Sequence, residues 1–173
     1  MSRCCRGSSL KRGTFSLKIS LRPDRWRPET ALVVTVPAKD AYHQAVRNAL
    51  LKDGWTITDD PYTLSFGQRD VFVDLGAERP IAAEREGRRI AIEIKSFLGP
   101  SDMRELEIAV GQYVFYRSLL KRFEPDRKLF LAVTDVVFAG VFSEPIARPV
   151  VEDAGIAILV FNAAQEVIVK WTL

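Results

Sequence analysis

Residues 93–95 read Glu-Ile-Lys within the stretch "RRIAIEIKSF" (88–97), setting a carboxylate and an ammonium group two residues apart. Side chains two apart on a strand share a face, so Glu93 and Lys95 are expected to point one way and Ile92 and Ile94 the other. Two readings follow. On a half-solvated strand the charges simply face water. Beside an aspartate on a neighbouring strand, the same spacing suits metal-dependent phosphodiester hydrolysis. Two carboxylates then hold one or two Mg2+ or Mn2+ ions, which neutralise phosphate charge and lower the pKa of the attacking water. A lysine two residues past the glutamate orients that water or stabilises the developing negative charge.

The rest of the composition narrows the metal chemistry. His43 is the only histidine, and the two cysteines, Cys4 and Cys5, are adjacent near the start. Zinc sites built on His and Cys are therefore excluded, and any metal must be a hard cation held by carboxylates. The cysteine count implies no disulfide framework, and a reducing, cytoplasmic setting is the default expectation. No apolar run approaches the roughly 18 residues needed to span a bilayer, so no membrane association is expected.

A length of 173 residues with 47% hydrophobic and 27% charged side chains suits one soluble globular domain. The formal net charge is +3, but it is unevenly spread. Residues 1–36 hold eight basic and two acidic side chains (+6), leaving 17 basic and 20 acidic (−3) for the remainder. Global basicity is thus no argument that the folded body attracts phosphate. Residues 1–36 also lack helical or strand periodicity and read as a disordered basic extension. A start codon assigned too far upstream would produce one, with Val36 standing for a GTG start. Deleting residues 1–35 is expected to leave the thermal midpoint unchanged; a large drop in a melting experiment would refute this.

From Pro37 the pattern becomes regular. Ala41/Tyr42, Ala45/Val46 and Ala49/Leu50 recur at four-residue spacing, predicting a helix that stops at Gly54. "WTITDD" reads as a short strand ended by Pro61 and its neighbours. "RDVFVDLGAE" and "PIAAE" read as extended segments, and "REGRR" as a tight turn into the Glu93 strand. Asp102 and Glu105 form a capping-box signature for a second long helix, with Leu106, Ala109/Val110, Tyr113/Val114 and Leu120 as its buried stripe. "KLFLAVT" reads as an interior strand, followed by two short helices and a hairpin about Asn162-Ala163. The order implies a mixed α/β sheet flanked by helices. His43 lies beside the apolar stripe of the first helix, as a base facing the site or as a boundary residue. Tyr113, Phe115 and Tyr116 sit at helical spacing and read as core.

With Glu93 and Lys95 on the third strand, this α-β-β-β-α-β order resembles the PD-(D/E)xK restriction-endonuclease-like superfamily. "QYVFY", from Gln112 to Tyr116, resembles the Q-x-x-x-Y element of its RecB-like branch. More specifically, "AYHQAVRNALLKDGWTITDDP", "DVFVDLGAER", "AIEIKSFLG", "GQYVFYRSLL" and "EPDRKLFLAV" resemble the XisH family, the excision-controlling factors associated with the fdxN element of cyanobacteria. The resemblance runs from about Pro37 to Leu173 and does not enter residues 1–36. It implies an accessory role in programmed DNA excision, with DNA, a site-specific recombinase and a small XisI-type protein as partners. It implies a nuclease-like fold more firmly than nuclease activity.

The superfamily's Pro-Asp dipeptide is missing, and Asp70, Asp74 and Glu78 compete to be the first metal ligand. By parity all three can share the Glu93 face. Asp74, emerging from the apolar "VFVD", is the best match, with a bulge near Gly76 drawing it toward Glu93. Folding the chain about Glu86-Gly87 sets position 80 opposite Glu93 and Glu78 opposite Lys95, which makes Glu78 a further ligand or a rim charge. Gln112 and Tyr116 complete the set of accessory candidates.

Overall fold

The computed structural model describes residues 40–79 and 87–172; the expected extension at 1–36, all of "PIAAE" and the first two residues of the turn after it lie outside them. Helix α1 (His43–Lys52) opens the described fold. Its chain turns out of the helix where Gly54 adopts φ +84°, which a side chain would disfavour. Strands β1 (Thr56–Asp59), β2 (Tyr62–Phe66), β3 (Arg69–Val73), β4 (Leu75–Arg79) and β5 (Arg88–Ile94) follow. Then come α2 (Asp102–Phe123), β6 (Arg127–Thr134), α3 (Asp135–Ala139), α4 (Ala147–Asp153), and the C-terminal hairpin of β7 (Ile158–Asn162) and β8 (Val167–Thr172).

Six strands form one mixed sheet in the order β1-β4-β5-β6-β7-β8, with β5-β6-β7 parallel and both flanks antiparallel. Strand alternation sorts its side chains into two apolar layers. Ile90, Ile92 and Ile94 face Val46 and Leu50 of α1, while Ala91 joins Leu106, Ala109 and Tyr113 of α2 on the other face. The parity expected for Ile92 and Ile94 therefore holds.

The structure departs from the expected pattern at several points. A two-stranded sheet, β2-β3, stands apart from the main one. "YTLSF", which follows the Pro61 break expected to end the first strand, is itself a strand paired with β3. The segment "RDVFVDLGAE" is two strands rather than one, broken at Asp74 between the two sheets. The register of β4 on β5 is Leu75↔Ile92 through Arg79↔Arg88, so Glu78 lies opposite Arg89 and not Lys95. The bulge falls on β1 at Thr58, across from Gly76, rather than in β4. A Cβ at Gly76 would come within 3.0 Å of Asp59 and 3.1 Å of Thr58 and Tyr62, so the close approach of the bulged strand favours glycine there.

Helix α2 is capped one residue earlier than expected: the Ser101 hydroxyl accepts from the Arg104 N–H at 3.4 Å. Of its aromatic residues only Tyr113 is fully buried; Tyr116 is half-buried, and Phe115 is exposed, against the expectation of core. The Tyr113 hydroxyl donates to the Leu129 carbonyl (3.1 Å) and accepts from the Ala157 N–H (2.9 Å), tying α2 to the edges of β6 and β7. Tyr113→Phe would leave both backbone groups buried without that partner, and a loss of about 2 kcal/mol is expected in denaturant unfolding. An unchanged midpoint would show that water replaces the hydroxyl.

Candidate active site

The break at Asp74 shapes the site. Because β4 pairs with β5 only as far as Leu75↔Ile92, the Asp74 side chain takes over where the ladder stops. Its Oδ2 accepts the Ile94 N–H at 2.8 Å. This bond pins the carboxylate beside the strand that carries Glu93 and Lys95. Lys95 is fixed in turn by its own N–H, which donates to the Ala132 carbonyl of β6 at 3.0 Å.

Glu93 is only 3% exposed, so the strand is not one whose charges face water. Lys95 Nζ lies 3.0 Å from Glu93 Oε1. Burial, and then the Asp74 charge, push the Glu93 carboxyl up to about 7 despite the opposing pull of Lys95. Asp74 is raised as well, by burial first, against the Ile94 hydrogen bond, Lys95 and His43. Two carboxylates have thus been taken out of water beside each other, and one ammonium group does not offset the cost.

Helix α2 supplies the roof. Burial, and then the charges of Glu93 and Asp74, push the Tyr116 hydroxyl up to about 12, while a hydrogen bond with Gln112 acts the other way. The Gln112 Oε1 is buried without a partner among the described residues. His43 is buried too: its Nε2 lies 2.9 Å from Asp60 Oδ1, and its Nδ1 has no partner among the described residues.

Asp70 and Glu78 stand elsewhere. Asp70 is exposed in the separate β2-β3 sheet, opposite Ser65. Glu78 pairs across from Arg89, four positions before Glu93 on β5 and about 13 Å along the strand. Its Oε1 lies 3.8 Å from Arg127, a buried cation that also binds Glu124 and the Ile90 carbonyl. Glu78 therefore belongs to an ion network at the opposite end of the strand.

One member escaped the sequence reading. Asp40, just before α1, accepts from the Tyr42 N–H (2.9 Å) and the Ser96 N–H (3.0 Å), and its charge reaches both Asp74 and Glu93. A carboxylate shortly before a helix is a legible start signal, but the bond to Ser96 is not local.

Hard oxygen donors suit Mg2+ or Mn2+, and such ions are commonly held by one or two carboxylates plus waters and substrate oxygens. Among the described residues no group of three or more His, Cys, Asp or Glu could hold a metal ion; the Asp74–Glu93 pair could supply two carboxylates to one. The uncompensated carboxylates and the orphaned Gln112 oxygen above them fit a hard cation.

The family model described as XisH protein matches residues 36–169. The chain belongs to the XisH family. A crystal structure of an XisH family protein from Nostoc punctiforme PCC 73102 superposes with a TM-score of 0.70 at 38% identity, covering 78% of this chain and 100% of that one. An fdxN element excision controlling factor protein from Anabaena variabilis gives 0.68 at 39% identity, covering 77% and 98%. No curated protein matches the chain. Among the described residues no helix is long and apolar enough to cross a membrane.

Proposed function

We propose that this XisH-family chain is a cytoplasmic, Mg2+- or Mn2+-dependent DNA endonuclease of the PD-(D/E)xK type, or its close descendant, acting as an accessory factor in programmed DNA excision. The observation that carries the reading is the buried Glu93 carboxylate with the half-buried Asp74 beside it, pinned by the Ile94 N–H, and the Lys95 ammonium at 3.0 Å from Glu93. In it, Asp74 and Glu93 hold the cation, which when bound supplies charge neutralisation and an activated water. Lys95 would orient the attacking water and stabilise negative charge at phosphate oxygens. Tyr116 and Gln112 lie above the carboxylates as hydrogen-bonding groups, and Asp60 orients His43.

The test is to offer the purified protein supercoiled, linear duplex and single-stranded DNA in Mg2+ or Mn2+, with and without a XisI-type partner. Cleavage of at least one form is expected, suppressed by chelator. Lys95→Ala is expected to slow it by roughly 10²–10³-fold. Intact DNA under every condition would remove the endonuclease reading.

A second reading has its own observation. Strand β8 ends the sheet and pairs only with β7 among the described residues, and Val169, where its register slips, is exposed. Open edges accept added strands. As a non-catalytic module the chain would bind a XisI-type protein or the recombinase there. Val169→Lys should then reduce co-purification of the partner; undiminished complex formation counts against the edge as the contact.

A further inference from the structure

A basic cleft opens at the end of the sheet away from the carboxylates. Helix α1 stops at Lys52, and the apolar layer that it covers continues past it. Trp55, Ile90, Phe130 and Trp171 line a cleft of about 700 Å³ there, a size typical of ligand pockets. Phe130 and Trp171 meet edge-on at 4.7 Å and 76°, and Trp55 is tilted 44° from Trp171 at 5.7 Å. None of the three rings is stacked flat on another. Aromatic side chains lining a basic groove are platforms for nucleobases.

The charges around the rings indicate what they take. Arg79, Arg88, Arg89 and Lys128 line the cleft against Asp53 and Asp126, a sum of +2 on a body (37–173) that sums to −3. Arg79 and Arg88 are direct cross-strand partners, and like charges placed so destabilise a sheet. An anion between them offsets that repulsion. Arg79 pairs loosely with Asp53 (3.6 Å), and Arg89 with Glu124 (3.6 Å) and Asp126 (3.8 Å). Arg88 and Lys128 are exposed and have no carboxylate partner among the described residues. We propose that this cleft grips a single strand of DNA, with a base on the aromatic lining and phosphates on Arg79, Arg88 and Lys128. The cations are spread over β4, β5 and β6, roughly 10 Å across at the usual strand spacing, which suits successive phosphates better than one. Bases stacked inside a duplex offer no free face, so the aromatic lining selects a single strand. Arg88 lies five positions before Glu93, about 17 Å along β5, and by parity on the opposite face. The grip is therefore separate from the carboxylates, and it rests on the reading of DNA as the partner but not on cleavage.

Tryptophan fluorescence of the full chain reads the contact, because Trp55 and Trp171 line the cleft and the third tryptophan, Trp26, can be replaced by Phe. In chelator, where no cation-dependent step occurs, a single-stranded oligonucleotide of about twelve nucleotides is expected to quench this emission. Its duplex should bind about tenfold more weakly or worse. Arg88→Glu with Lys128→Glu should lower single-strand affinity by about tenfold or more and flatten its salt dependence. The thermal midpoint should hold or rise, since Arg79 then faces a carboxylate. Lys121→Glu with Arg122→Glu changes charge equally at the last turn of α2 and should cost about threefold or less. Equal losses from the two pairs overturn the proposal, because binding would then follow overall charge. Unchanged emission overturns it, as does a duplex that binds as well as the single strand. Thymidine monophosphate binding as tightly as the oligonucleotide overturns the strand and leaves a free nucleotide as occupant. Single-strand binding in a protein that cuts no DNA in Mg2+ supports the grip and removes the endonuclease reading alone.

Discussion

Replacing Glu93 with Gln is expected to abolish divalent-ion-dependent stabilisation and DNA cleavage together, while leaving the metal-free protein at least as stable as wild type. The usual expectation for a buried ion-paired residue is the opposite, because removing one partner strands the other. Here the carboxylate sits beside a second one, Asp74, and its pKa is raised despite Lys95 at 3.0 Å. Ionised Glu93 is therefore a net cost to the folded state without a cation, and a neutral isostere removes that cost. The ion stabilises the wild type by mass action, about 2.7 kcal/mol at a hundred times Kd, and should not stabilise the variant. Thermal melts of both proteins across a Mg2+ titration distinguish the outcomes. Parallel responses of the two would sink the metal-site reading, and a variant much less stable in chelator would show that Lys95 needs Glu93 as a structural partner.

The second prediction concerns pH. The Glu93 carboxyl rises from 4.5 to about 7 on folding, through burial first and the Asp74 charge second. Between those values the folded protein holds a proton that the unfolded chain has released. The contribution is fully present below pH 4.5 and is lost as pH rises through 7, an upper bound of about 3 kcal/mol from this group. Asp74 is shifted in the same direction and acts with the same sign. In chelator, the wild type should lose this contribution as pH rises, and Glu93→Gln should flatten the profile. Because only ionised carboxylates bind the cation, saturating Mg2+ should stabilise the protein most at high pH and have no effect at low pH. A Mg2+ increment independent of pH would argue that the ion binds elsewhere.

How much of this was legible in the sequence differs from residue to residue. The common face of Glu93 and Lys95 followed from strand parity alone, and the burial of Ile92 and Ile94 agrees with it. The burial of Glu93 did not follow, because it depends on α2 covering that face. Position 80 was expected opposite Glu93, yet Asp74 lies one residue beyond the Leu75↔Ile92 pair, a difference of six positions. A tight turn at Glu86-Gly87 would give that register, whereas the last described pair is already Arg79↔Arg88. Strand β2 carries a legible signal, since "YTLSF" alternates and is followed by Gly67 at φ +61°. The hydrogen bond from Ser96 to Asp40 spans 56 residues, beyond the reach of any local pattern.

The hydrogen bond from Ile94 to Asp74 has a consequence for electroneutrality. It holds Asp74 beside Glu93, so with both carboxylates ionised and Lys95 protonated the three side chains sum to −1. That is the sign of a phosphodiester, which such a site would turn away. One divalent cation changes the sum to +1, and one phosphodiester returns it to zero. Cation and DNA would then occupy the site as a neutral pair, each raising the other's affinity by the same factor.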